Sequence, residues 1–181
     1  MNNGVKKKYA QRSRYIGPWS LKIHFLRMLY SIFWVVICRF SPKKFYPLRV
    51  AILRLFGAKI ERNCFVSSSV RIYYPWNLRM RESSCLGQDV EIYNLDQVSI
   101  GKRSVIAQQA YICCGSHDFK SEKFELITAP ISIGDDVFVG LRALILPGVT
   151  IGDKCIIGGG TVLRVSLSAN TKASSPDICV N

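Results

Sequence analysis

The chain has 181 residues, 49% of them apolar and 20% charged, with thirteen glycines and seven prolines. That composition describes a globular chain of one compact domain with a modest appendage, and it excludes two full domains, a disordered chain and a collagen-like one. The formal charge of +13 is not spread evenly: residues 1–60 hold thirteen of the twenty-five Lys and Arg and no Asp or Glu, whereas residues 61–181 hold twelve cations and all twelve anions.

Residues 1–57 therefore read as a basic arm, with Lys6, Lys7, Lys8, Arg12 and Arg14 at its start. MLYSIFWVVIC, from Met28 to Cys38, is uncharged between Arg27 and Arg39. As a helix that run spans roughly 16 Å against about 30 Å of bilayer hydrocarbon, so a helix lying in the membrane interface over Leu21–Phe40 is expected rather than a crossing. A second helix is expected in LRVAILRLFG, with Leu48, Ile52, Leu55 and Phe56 on one face and Gly57 ending it. Two readings of the arm stand side by side: contact with an anionic membrane, at about 1 kcal/mol per Lys or Arg, or capping of the first coil of the domain that follows. His24, among Lys22, Phe25 and Arg27, reads as a surface or interface residue. Nucleic acid is not expected as a partner, because no reading motif accompanies the charge.

Residues 58–181 repeat every six. Apolar residues recur at Ile133, Val139, Ile145, Ile151, Ile157 and Leu163, and upstream at Ile60, Val66, Ile72, then Met80, Leu86, Ile92, then Ile100, Ile106, Ile112. Glycine follows at Gly134, Gly140, Gly152 and Gly158. No α-helix has this period, and a simple amphipathic strand alternates every two residues. A six-residue unit makes one short strand and one turn, and three such units close a triangular coil that stacks on the next. The expectation is a mainly β chain, a parallel β-helix with a basic helical segment before it. The stretch CCGSHDFKSEKFELITAP, between Ile112 and Ile133, breaks the repeat.

The seven cysteines, Cys38, Cys64, Cys85, Cys113, Cys114, Cys155 and Cys179, are odd in number and form no C-x-x-C pair. Buried thiols in a reduced cytoplasmic setting are expected, with neither a metal site nor a disulfide framework. Within the break lies His117, in GSHDF, one of only two histidines. Long loops in compact domains are usually functional, and an imidazole with an ordinary pKa of about 6.5 suits the removal of a hydroxyl proton. Asp118 either orients that ring or caps the turn. No G-x-S-x-G elbow is present for a covalent route.

IGDDVFVGLRALILPGVTIGDKCIIGGGTVL, with GSHDF and LITAPISIG before it, resembles the hexapeptide-repeat acetyltransferases. RIYYPWNL at 71–78, IYNLDQVSIG at 92–101 and LRLFGAKI before the coils are similar to the colanic acid biosynthesis acetyltransferase branch. The resemblance implies a left-handed β-helix, a homotrimer with sites between subunits, acetyl-CoA as donor and a sugar hydroxyl as acceptor. It implies His117 as general base and the turn at Gly140 and Leu141 as the oxyanion-binding turn. It places the donor along Gly140, Gly158, Gly159, Thr161 and Arg164, where turn geometry alone also accounts for the glycines and solvation for the arginine. On the acceptor side it points to Asn94 and Asp96, with Tyr93 or Phe138 stacking on a sugar face. Relatives close with a Lys-Asp pair and an A-G-N-P-A motif, where this chain has VSLSANTKASSPDICVN with Ser174, Ser175 and Pro176. Weakened or altered donor binding is therefore expected. A noncatalytic trimeric scaffold is the alternative reading. The arm would hold the enzyme at the inner face of the plasma membrane, beside a lipid-linked saccharide.

Overall fold

The computed structural model describes residues 7–9, 20–120, 122 and 124–175; Lys6, Arg12, Arg14, Pro176 and Cys179 lie outside them. The body is a three-sided parallel β-helix. Strands Lys59–Ile60, Leu78–Met80, Val98–Ile100, Ile131–Ile133 and Thr150–Ile151 make the first face. The second runs from Phe65–Val66 through Cys85–Leu86, Val105–Ile106, Phe138–Val139 and Ile156–Ile157 to Lys172–Ala173. The third comprises Arg71–Ile72, Glu91–Tyr93, Tyr111–Cys113, Leu144–Ile145 and Val162–Leu163.

The register follows from the sixfold spacing. Ile60, Met80, Ile100, Ile133 and Ile151 stand in one ladder; Val66, Leu86, Ile106, Val139 and Ile157 in the next; Ile72, Ile92, Ile112, Ile145 and Leu163 in the third. All fifteen are buried, so each apolar side chain packs on the equivalent residue of the coils above and below. The edge joining the first face to the second turns through a left-handed residue in every coil: Asn63, Ser83, Arg103, Asp136, Lys154 and Asn170. A non-glycine residue there costs about 1–2 kcal/mol, offset where its N–H bonds to the carbonyl of the preceding coil, as Arg103 does with Glu82 at 2.9 Å.

The helices of the basic segment join this core. Helix α1 spans Leu21–Phe33 and runs on as a π-helical turn, Trp34–Cys38, so the helix is longer than the uncharged run alone and carries Arg27 inside it. One helix in the described residues thus has the length and composition to cross a membrane. Yet Tyr30, Trp34 and Cys38, spaced by four, form a buried stripe against the body, and Trp34 Nε1 donates to the Val70 carbonyl at 3.1 Å. The second half of the helix is thus tied to the prism, while Leu21, Phe25, Leu26 and Met28 in its first half are exposed.

Helix α2, Tyr46–Leu55, ends at Gly57, whose φ of +91° is the left-handed conformation expected there. Its face corrects the sequence expectation: Arg49, Val50, Ile52 and Leu53 are buried with Phe56, whereas Leu48 and Leu55 are exposed. The cause is Arg49. Its guanidinium donates to the carbonyls of Val66, Ser41, Pro42 and Lys43 and to the Ser41 hydroxyl, at 2.7 to 3.3 Å, tying the helix and the loop before it to the first coil. A polar residue on the core face defeats a reading by hydrophobic period. Of the cysteines, Cys38, Cys64, Cys114 and Cys155 are buried as small apolar groups, and Cys85 and Cys113 are half-buried.

Candidate active site

After Cys113 the chain leaves the third face as two antiparallel strands, Gly115–His117 and Leu126–Thr128, before it rejoins the first face at Ile131. Asp118 N–H to the Glu125 carbonyl, 2.8 Å, and Ala129 N–H to the Cys114 carbonyl, 3.0 Å, close the two ends. A third strand, Lys7–Tyr9, pairs antiparallel with Leu126–Thr128 and brings Tyr9 into the register row of Leu126 and His117. Periodicity gave no sign of it, because three residues of a charged run carry none.

The foot of the hairpin is fixed by the preceding coil. Asp96 Oδ1 accepts from Gln97 N–H at 2.8 Å, and Oδ2 accepts from the Thr128 hydroxyl at 3.4 Å. At Gly115 a Cβ would stand 2.7 Å from Leu95 Cδ1 and 3.0 Å from the Tyr93 ring, so these two side chains close directly over its backbone. Beneath it the Cys114 thiol is pushed up to about 12 by burial, so it remains protonated at neutral pH.

His117, half-buried, stacks on Phe124 with ring centroids 4.6 Å apart and 13° between planes. Its Nδ1 lies 3.2 Å from the Phe124 carbonyl oxygen. A carbonyl only accepts, so this contact places the proton of the neutral ring on Nδ1 and leaves the Nε2 lone pair free to take one. Phe124 holds this geometry from a left-handed backbone, φ +45°. Asp118 caps the turn, its Oδ1 accepting from Lys120 N–H at 3.1 Å.

The other expected site residues do not all gather here. Tyr93 does: it is half-buried, meets Tyr73 edge-on at 4.9 Å and borders Gly115. Asn94 is fully buried and clamps the corner, with Oδ1 accepting from Tyr74 N–H (3.0 Å) and Nδ2 donating to the Tyr74 carbonyl (2.6 Å). Asp96 is likewise a support for the hairpin. Phe138 is exposed on the second face. Gly140, Leu141, Gly158 and Gly159 share the edge between the second and third faces, whereas His117 and Arg164 belong to the edge between the third and first. Thr161 is buried and its hydroxyl accepts from Ser175 N–H at 3.1 Å, which ties it to the residues after the last strand. Gly140 packs so tightly that a Cβ would come within 2.6 Å of Gly159 N, but a Cβ on Gly160, φ +69°, would meet nothing within 4 Å. The shelf from Gly158 to Gly160 thus exposes bare backbone of the kind an extended amide-bearing chain can lie against.

The pattern described as "Hexapeptide repeat of succinyl-transferase" matches residues 130–164. The chain is 41% identical over 143 residues to the putative colanic acid biosynthesis acetyltransferase WcaF of Escherichia coli strain K12, covering 77% of this chain and 79% of that one. The chain belongs to the hexapeptide-repeat acetyltransferases. Among solved structures, a galactoside acetyltransferase in complex with coenzyme A superposes with a TM-score of 0.80 at 22% identity, over 88% of this chain and 81% of that one. A maltose O-acetyltransferase from Clostridium difficile 630 gives 0.77 at 24%, over 86% and 84%. In this hexapeptide-repeat acetyltransferase, His117 and the Gly140–Leu141 turn stand on different edges of one prism.

Proposed function

We propose that this acetyltransferase moves the acetyl group of acetyl-CoA to a hydroxyl of a saccharide in surface-glycan assembly, with His117 as general base. The observation that carries this is the Phe124 carbonyl at His117 Nδ1, which keeps Nε2 available. The acceptor oxygen attacks the thioester carbonyl carbon as Nε2 removes its proton; the C–S bond then breaks, and the proton passes to the departing sulfur. Negative charge developing on the carbonyl oxygen is met by backbone N–H at Leu141, in the turn after Gly140. The pantetheine arm lies along Gly158–Gly160, and Tyr93 lines the acceptor side. Exposed Arg164 pairs a phosphate of the donor, on the edge that also carries His117.

Because the two half-sites occupy different edges, the working unit is a homotrimer in which one chain's His117 faces the next chain's Leu141 turn. The enzyme works in the cytoplasm at an anionic membrane face. Leu21, Phe25, Ile32, Val36 and Phe40 are exposed on the basic segment, and Lys22, Arg39, Lys43 and Lys44 accompany them.

His117→Ala should lower acetyl transfer by about 10² to 10⁴ with CoA binding retained; full activity would remove the base from the mechanism. Mixing His117→Ala with Leu141→Pro, which lacks the N–H, should restore activity that neither variant has, because mixed trimers contain intact shared sites. No recovery on mixing would place each site within one chain.

A further inference from the structure

Between helix α1 and the start of the third face lies a cavity of about 270 Å³, walled by Arg27, Tyr30, Trp34, Val35, Arg71 and Tyr73. Its surface is mainly apolar, with two guanidinium groups beside it. Among the described residues Arg27 donates to the Tyr74 hydroxyl at 3.3 Å and lies over that ring, 5.8 Å from its centroid, and Arg71 stands 3.5 Å from Glu91, whose other oxygen accepts from the Tyr73 hydroxyl at 3.0 Å. Tyr30, in the wall, keeps a buried hydroxyl with no hydrogen-bond partner among the described residues. The space lies below the usual range of about 300–1,000 Å³ for whole small-molecule ligands, so it suits an anionic head and a few carbons of a longer chain. The remainder of such a chain would leave over Val35, which is itself exposed, and onto the unburied apolar side of α1.

Ring contacts lead from the cavity wall toward the site. Tyr73 forms its wall and meets Tyr93 edge-on at 4.9 Å, and Tyr93 borders Gly115, two residues before His117. We infer that the cavity binds the phosphate and first carbons of a single-chain lipid phosphate, and that the acceptor saccharide is presented to His117 as the sugar borne on that phosphate. The phosphate lies between Arg27 and Arg71, the chain follows α1 into the membrane interface, and the sugar extends past Tyr73 and Tyr93. This inference rests on the acetyl-transfer reading above for the sugar, but not for the lipid.

Farnesyl phosphate, which carries no sugar, tests the site on the full chain by calorimetry and by the emission of Trp34. Saturable binding is expected, with farnesol and inorganic phosphate each weaker by at least about tenfold, since each lacks half of the recognised group. Combined Arg27→Gln and Arg71→Gln should weaken binding by about tenfold or more. Val35→Trp, at an exposed position, should fill the cavity and abolish binding with CoA affinity unchanged, which reports an intact fold. Equal affinity for farnesol, or unchanged binding by Val35→Trp, would overturn the assignment. So would equal displacement of farnesyl phosphate by phosphatidylglycerol vesicles, which would make the cavity a general anionic-lipid site. Because these readouts need no acetyl transfer, an inactive enzyme that binds the probe sinks only the catalytic reading, and an active one that ignores it sinks only this one.

Discussion

In the stacked coils every large side chain meets an equivalent one above and below, whereas the hairpin from Gly115 to Thr128 hangs from one carboxylate, a few backbone bonds and the rings of Tyr93 and Phe124. The coils bear stability and present backbone at their corners; the hairpin holds the imidazole and buries little. Damage to the two regions should therefore register in different measurements.

Ile106→Ala breaks the comparison most severely if it is wrong. Ile106 is wholly buried on the second face between Leu86 and Val139, so its truncation should cost about 2–5 kcal/mol in chemical unfolding. Below its lowered melting temperature the variant should keep the wild-type kcat. A collapse of kcat in fully folded protein would mean that coil packing tunes the chemistry directly.

Phe124→Gly is the converse test. Glycine accepts the φ of +45° without strain and keeps the carbonyl at His117 Nδ1, but removes the ring stacked on the imidazole. Stability should hold or rise slightly while kcat falls about tenfold, short of the about 10² to 10⁴ lost with the base itself. Phe124→Tyr, which keeps the stacked ring, should retain most of the wild-type kcat. Unchanged kcat in Phe124→Gly would show that the carbonyl alone orients His117.

The same contrast explains what was legible in the residues. The three ladders follow directly from the sixfold spacing, because inward burial is the only way such a repeat excludes water. His117 stood out by its place in the one break of the pattern. The clamp that Asn94 makes on Tyr74 was not legible, since a corner asparagine that clamps backbone and one that contacts a sugar are written alike. Helix α2 misled for a related reason: Arg49 sits on the core face to satisfy four carbonyls, three in the loop before the helix and one on the first coil. Strand Lys7–Tyr9 and the Phe124 carbonyl depend on tertiary pairing and leave no local trace.

Two thiols give the finest reading of the difference. Burial pushes Cys114, at the hairpin foot, up to about 12 and Cys38, on the helical stripe, up to about 11, with Arg49 pulling the latter back in part. Below the ordinary thiol range both folded and unfolded chains keep these protons, and stability does not depend on them. As pH rises past about 9 the unfolded chain ionises first, so stability falls until the folded values are reached, by about 1 kcal/mol per thiol at pH 10. Cys114→Ala should flatten that alkaline slope measured by urea unfolding, and an unchanged slope would show that Cys114 ionises normally in the folded chain. Iodoacetamide adds the local view. The hairpin can open without the coils, so Cys114 should be alkylated at a urea concentration below the global transition, while Cys38 reacts only with it. Simultaneous labelling of both would make the hairpin part of one cooperative unit with the prism, and the separation of chemistry from stability would then have to rest on side-chain contacts alone.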